Sequence, residues 1–273
     1  MLVTLLTICV VVFIYLHIVF HWKTSNDLEV FDMEGLPDKK RLEELCNLRQ
    51  PLLFDYDNEA YAKCAPTMLA ESIFDLNVVD PSNVAVPLKP AIALPLFKKS
   101  NYYTVNNQTF LKDSMLRRVY EQNDSPLRPP MTVHSKYDLM FGGKDATTPL
   151  KYTDCCRNYF MVNEGEMEVK LAVPNSDRFL NVKKDYVKQE FYSETDAWGE
   201  QNKVKFLTLK VKKGQLFYLP AYWWYSFKLS DECFVCSFSY KTAMNVVATL
   251  PDTVLGIMQR QKTKMVSAKK IIV

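Results

Sequence analysis

Histidine is nearly absent from this 273-residue chain, with only His17, His21 and His134. Two of the three lie in or beside the apolar N-terminal run, so His134 stands alone in the remainder. Chemistry that needs two imidazoles at one centre is therefore excluded downstream of that run. Glycine is also scarce, at seven residues, which argues against a fibrous or low-complexity chain. No Gly-rich phosphate loop and no nucleophile elbow is present. Neither sign of charge dominates: 34 Lys and Arg against 31 Asp and Glu leave a net +3, too little to imply a specific nucleic-acid partner. The cysteines are Cys9, Cys46, Cys64, Cys155, Cys156, Cys233 and Cys236. An odd total with an adjacent pair does not resemble a secreted disulfide framework.

Apolar and aromatic residues are abundant instead. Hydrophobic residues make up 48% of the chain, with 16 Phe and 15 Tyr, ample material for a core. The longest apolar block, residues 2–20, holds no charge and is interrupted only by Thr4, Thr7 and His17. Spanning a hydrocarbon core takes about 20 such residues in a helix. A cleaved signal peptide would carry a basic lead, a shorter apolar core and small residues at its cleavage site. Here no Lys or Arg precedes the run, which ends in His21-Trp22-Lys23. Residues 1–22 therefore read as an uncleaved single-pass anchor whose partner is the lipid bilayer. Lys23, Lys39, Lys40 and Arg41 follow it, which places the globular part on the cytoplasmic side by the positive-inside tendency. The sequons at Asn107 and Asn123 would be usable only in a lumenal domain.

Residues 23–36 read as a polar, acidic tether, and 37–260 as one domain of about 220 residues, within the range of β-sandwiches and barrels. Its early part reads as helical: a pattern opening at Pro37, a second helix over about 57–72 disturbed by Pro66, and a third near 108–121. In the third, Asn107 is a candidate N-cap and Leu111, Met115 and Val119 share a face. Residues 84–97 are too proline-broken for a central strand. From about 130 to 241 the period becomes that of strands: 131–141, 149–153, 158–162, 166–173, 204–211, 215–219, 223–229 and 232–240. Asn163-Glu-Gly165 supplies the turn between the third and fourth of these. Helix resumes over 242–260. A basic tail, 261–273, follows Arg260 and carries Lys262, Lys264, Lys269 and Lys270 with no acidic residue. Near an anionic leaflet each such charge is worth about 1 kcal/mol; the alternative is a solvated end. Helices followed by about eight short strands fit a β-sandwich or barrel decorated by helices.

Two segments carry a family resemblance. Thr147-Thr-Pro-Leu-Lys-Tyr-Thr-Asp154, followed by Arg157-Asn-Tyr-Phe160 and the Gly165 turn, resembles the stretch that brings a His-x-Asp metal pair into cupin-like, JmjC-related oxygenases. Lys213-Gly-Gln-Leu-Phe-Tyr-Leu-Pro-Ala-Tyr-Trp-Trp-Tyr225 resembles the family segment that delivers the distal His. The resemblance implies a mainly β fold, a double-stranded β-helix of two facing sheets around a pocket, with Fe(II) and 2-oxoglutarate as cofactors of active members. Similar anchored JmjC-like proteins occur in large DNA viruses.

The ligands that such iron chemistry needs are two His and one carboxylate. Counted from Thr148-Pro149, the His-x-Asp positions fall on Lys151 and Thr153; counted back from Asn158, they fall on Tyr152 and Asp154. The distal His position is Tyr225, and the position of a frequent cosubstrate lysine is Met167. The expectation is a non-catalytic binding or structural protein, with no metal, that holds an unidentified small ligand or protein. Its degenerate pocket would comprise Lys151, Tyr152, Thr153, Asp154 and Tyr225, lined by Asn158, Met167 and Trp223. Lys151 could attract a carboxylate or phosphate; its ordinary reading is a rim lysine. Tyr225 and Trp223 could line an aromatic pocket; their ordinary reading is core. The alternative is an active Fe(II)/2-oxoglutarate oxygenase, of hydroxylase or demethylase type, using Asp154 and His134. A modifier of sugars or lipid-linked groups in the secretory pathway is a third possibility, which the sequons would serve. A zinc site from Cys155, Cys156, Cys233 and Cys236 is disfavoured, because residues three apart on a strand face opposite ways.

Overall fold

The computed structural model describes residues 1–273 except 57, 63–68, 99–100, 201–202 and 270–273. Fifteen strands among the described residues form two sheets. The nine-stranded sheet has the order β1-β2-β13-β8-β15-β6-β5-β3-β4. Its strands are β1 (Phe31–Met33), β2 (Leu52–Asp55), β3 (Leu76–Val79), β4 (Ala85–Leu88), β5 (Tyr103–Thr104), β6 (Thr132–Gly142), β8 (Arg157–Glu164), β13 (Gln215–Pro220) and β15 (Cys233–Thr242). The six-stranded sheet has the order β10-β11-β7-β14-β9-β12. It contains β7 (Lys151–Tyr152), β9 (Glu166–Ala172), β10 (Val182–Asp185), β11 (Glu190–Ser193), β12 (Leu207–Lys212) and β14 (Trp224–Leu229).

Strand alternation builds three cores. Between the sheets, Phe160, Val162, Phe217, Leu219 and Val235 of the larger sheet meet Met167, Val169, Leu171, Tyr225 and Phe227 of the smaller. The opposite face of the larger sheet, with Tyr137, Tyr159, Tyr218, Phe238 and Tyr240, is covered by helices. These are α2 (Lys39–Asn47), α3 (Glu59–Ala62), α4 (Pro90–Phe97), α5 (Gln108–Asp113) and α6 (Leu116–Asn123). A smaller cluster around Trp224, Leu150, Leu180 and Val204 covers the outer face of the smaller sheet. After β15 come α7 (Ala243–Ala248) and α8 (Leu250–Lys269).

The N-terminal helix α1 (Leu2–Trp22) is long and apolar enough to cross a membrane, and its most apolar window is unburied. Its last two turns nevertheless touch the domain, chiefly through α7. The stretch expected as a tether contains β1, which pairs in parallel with β2.

Several local expectations change. The expected helix over 108–121 is two helices, broken at Met115, whose φ of 61° and 60% exposure take it off the Leu111 face. Asn107 precedes α5 without a side-chain capping bond; its amide is spent on Asn77, Thr104 and Leu139 instead. Of the helix expected over 57–72, residues 59–62 form α3, and Cys64 and Pro66 lie outside the described residues. The proline-broken stretch is an edge strand, β4, followed by α4, which tolerates Pro90 at its first turn. The basic tail continues α8 as far as Lys269 rather than leaving the helix at 261.

Candidate functional site

The segment 147–154 runs along the edge of the smaller sheet. Its short strand β7 pairs with β14 at one position, Lys151 opposite Tyr225, and with β11 through Tyr152 opposite Phe191. Side chains alternate across a strand, so the two sequence registers separate by face. Lys151 and Tyr225 are neighbours on the inner face, with the Lys151 Nζ 5.6 Å from the Tyr225 ring centroid. Tyr152 points outward, stacked on Phe191 at 4.9 Å and edge-on to Trp224 at 4.8 Å. Positions 151 and 225, the two His positions of the family resemblance when it is counted from Thr148-Pro149, are thus adjacent in this fold, whereas position 152, given by the other count, lies on the opposite face.

The space between the sheets at this level is filled by rings. Phe160 packs against Phe227 at 4.7 Å and Tyr225 at 5.7 Å, and Tyr225 against Phe227 at 5.0 Å. Met167 is fully buried in the same cluster. Burial pushes the Lys151 ammonium below the ordinary lysine range, with Lys136 adding to the effect and Asp138 opposing it. Asp138 is itself buried, and burial pushes its carboxyl up against the backbone N–H groups that hold it. Those donors are Asn107 at 2.6 Å, Asn106 at 2.7 Å and Leu139 at 2.9 Å. Asn158 is buried too: its amide nitrogen donates to the Cys155 and Leu219 carbonyls. Its Oδ1 has no hydrogen-bond partner among the described residues.

A second polar cluster closes the end of the sandwich nearest α1. The Asp154 carboxylate accepts from Lys241 Nζ at 2.7 Å, and both side chains are buried. Asn245 of α7 donates from one amide nitrogen to the Asp154 carbonyl (3.1 Å) and to His21 Nε2 (2.9 Å). The Tyr222 hydroxyl lies 3.1 Å from that imidazole nitrogen. The Cys156 N–H donates to the other side of the Asn245 amide at 3.2 Å. Trp223 is buried, and its indole donates to the Arg49 carbonyl at 3.1 Å. The Arg49 guanidinium in turn reaches the Phe20 carbonyl and lies 5.1 Å from the Phe20 ring centroid. Thr153 takes the Cys155 N–H on its hydroxyl and the Tyr222 N–H on its carbonyl.

The expected residues therefore divide. Lys151, Tyr225, Met167, Asn158 and Trp223 are brought to the inter-sheet space, with the Trp223 indole bonding out to Arg49; Thr153 and Asp154 belong to the end cluster, and Tyr152 to the outer face. His134 lies on the outer part of β6 opposite Lys241, and partial desolvation of its ring, together with Lys241, lowers its pKa. Lys241 thus engages Asp154 and flanks His134 at once. Among the described residues, no three His, Cys, Asp or Glu side chains gather as a metal-ligand group. Cys233 lies between the sheets and Cys236 on the helix-covered face. Asn107, in the first sequon, is buried.

Sequence reasoning missed Asp138, Lys241, Asn245 and Tyr222, and took His21 for a membrane-flanking residue. Asp138 and Lys241 gave no signal of their own: each falls on the polar side of its strand's alternation, with His134 and Lys136 in β6 and with Ser237 and Ser239 in β15. Beside the end cluster a groove of about 640 Å³ opens between α1 and the outer face of the smaller sheet, bordered by Trp22, Tyr152, Tyr222, Arg178 and Asp252. No protein-family model matches the chain, and no curated protein matches it.

Proposed function

We propose that the chain is a membrane-anchored protein of the cupin-like, double-stranded β-helix kind that has lost its iron site. It acts as a binding or structural component rather than an oxygenase. The observation that carries this reading is the Lys151–Tyr225 pair. Two neighbouring inward positions suited to ligating a metal hold an ammonium and a buried phenol, over a space plugged by Phe160 and Phe227. Burial raises the Tyr225 pKa, so the phenol stays protonated and is a poor ligand.

The strand order supports the fold assignment. Taking β6, β7, β8, β9, β12, β13, β14 and β15 as successive strands, one sheet runs sixth-third-eighth-first and the other second-seventh-fourth-fifth. That is the order of an eight-stranded jelly roll. The apolar composition of α1 supports an anchor, as does the burial of His21 among Tyr222 and Asn245; cleavage of the helix would strand both partners. The basic residues just after the span favour a cytoplasmic domain. A small anionic ligand or a protein is the partner that Lys151 fits by charge.

The test is metal analysis of the purified full chain in detergent, with calorimetric titration of Fe(II) and 2-oxoglutarate. Absence of stoichiometric metal and of cosubstrate binding is the expected result. Stoichiometric iron with 2-oxoglutarate binding would overturn the reading and send attention to Asp154 and His134.

A further inference from the structure

Helix α8 docks on the body along a narrow line. Asp252, Gly256 and Gln259 face inward, with Gly256 against the Tyr186 carbonyl and the Gln259 side chain accepting the Tyr186 N–H. Almost everything else in its first half is exposed and apolar. Leu250, Val254, Leu255, Ile257 and Met258 stand in solvent, as does Val246 of α7, from 38% exposed at Val246 to 61% at Met258. On an ordinary soluble surface such a patch is unusual. From Arg260 the helix becomes polar and basic, with Lys262 and Lys264 following and no acidic residue after Asp252.

The position of the patch names its occupant. Helix α7 packs on α1, and the part of α1 that is shielded consists of His17, Ile18 and His21. The contact therefore begins about one turn inside the end of the apolar run, so α7 stands at the depth where a spanning α1 leaves the bilayer. Trp22, at the same level, is 54% exposed and suits the headgroup region. Phe179 belongs to a 3-10 turn whose Pro174 and Arg178 share the groove with Trp22, and it is 57% exposed.

We propose that α7 and the first half of α8 form a second membrane contact, an interfacial surface whose apolar residues sit in the lipid boundary beside α1. The exposed Arg260, at the end of that surface, then meets anionic headgroups. Interfacial helices of this kind bury an apolar face about 5–10 Å into the boundary while their cations stay with the headgroups. The surface rests on α1 being a membrane span, and it turns a single tether into a fixed orientation of the domain on the membrane.

The experiment uses the full chain with Cys9→Ser, reconstituted in phosphatidylcholine vesicles containing phosphatidylserine. Spin labels are placed singly at Ile257→Cys, at Phe13→Cys within α1, and at Lys213→Cys in the turn between β12 and β13; the chain without an added cysteine gives the baseline. Collision with oxygen, which concentrates in lipid, is compared with collision with a water-soluble nickel complex. The expected result is oxygen-dominated collision at 13 and 257 and nickel-dominated collision at 213. Nickel-dominated collision at 257 with 13 in lipid would overturn the second contact and leave the anchor standing. Spin–spin broadening at 257 would overturn it in favour of contact between copies of the chain. Nickel-dominated collision at 13 would overturn the anchor, and the second contact with it.

Discussion

At the scale of single residues, two lysines of the sandwich interior behave differently because only one has a direct partner. Lys241 forms a 2.7 Å bond with Asp154, both side chains being buried. Removing one member of such a pair leaves an uncompensated buried charge, which costs about 3–5 kcal/mol, whereas replacing both with apolar groups is often neutral. Lys241→Met is therefore expected to lower the denaturation midpoint sharply, and Lys241→Met with Asp154→Leu to recover most of the loss; equal losses in the two variants would show that the pair is not coupled. Lys151 has the Tyr225 ring and a nearby Asp138, but burial still pushes its pKa down. A lysine whose folded pKa is depressed binds fewer protons folded than unfolded between that value and about 10.4. Stability therefore rises with pH across that window. Lys151→Met is expected to raise the midpoint at neutral pH, with the gain shrinking as pH approaches the ordinary lysine range. A gain that does not vary with pH would place its origin in packing rather than charge.

At the scale of elements, the β8–β9 hairpin turns on Gly165. Its φ is +72°, and a Cβ added there would lie 2.7 Å from the Cys233 Cα. Gly214, between β12 and β13, has φ +80° but open space around it. Gly214→Ala should cost only the left-handed strain of about 1–2 kcal/mol. Gly165→Ala should cost clearly more, because the β15 backbone must move, and thermal melts of the two variants compare them directly. Most strands and this turn were legible in the sequence, because alternation and the Asn163-Glu-Gly165 signal are local. The edges were not. Strands β1, β4, β10 and β11 are short and lie at or near the sheet margins, where pairing partners rather than alternation decide the structure. The break at Met115 was hidden for a related reason. A helical spacing of Leu111, Met115 and Val119 is visible in the sequence, but a residue with φ 61° between two helices is not.

At the scale of the whole molecule, the proposed loss of an iron site was legible in the sequence, and what fills the region was not. The few histidines can be counted, and the segments 147–154 and 213–225 that resemble the family give the proposal its positions. What now occupies the region depends on contacts across most of the chain: His21 to Tyr222, 201 residues apart, and His21 to Asn245, 224 apart. No local pattern encodes such a contact. It makes α1 part of the folded domain, and that can be tested by removing residues 1–22. Tyr222 and Asn245 would lose their shared imidazole acceptor, and Arg49 its contacts to Phe20. Leaving a buried polar group unpaired costs about 1–3 kcal/mol, and each kcal/mol moves the midpoint of a domain this size by about 2–4 °C. The shortened chain is expected to melt several degrees below the full chain in the same detergent. Once detergent is withdrawn it should also associate through the exposed Leu250, Val254 and Ile257 surface. An unchanged midpoint would make α1 a hinged appendage, whereas a drop reproduced by His21→Ala alone would trace the coupling to that imidazole.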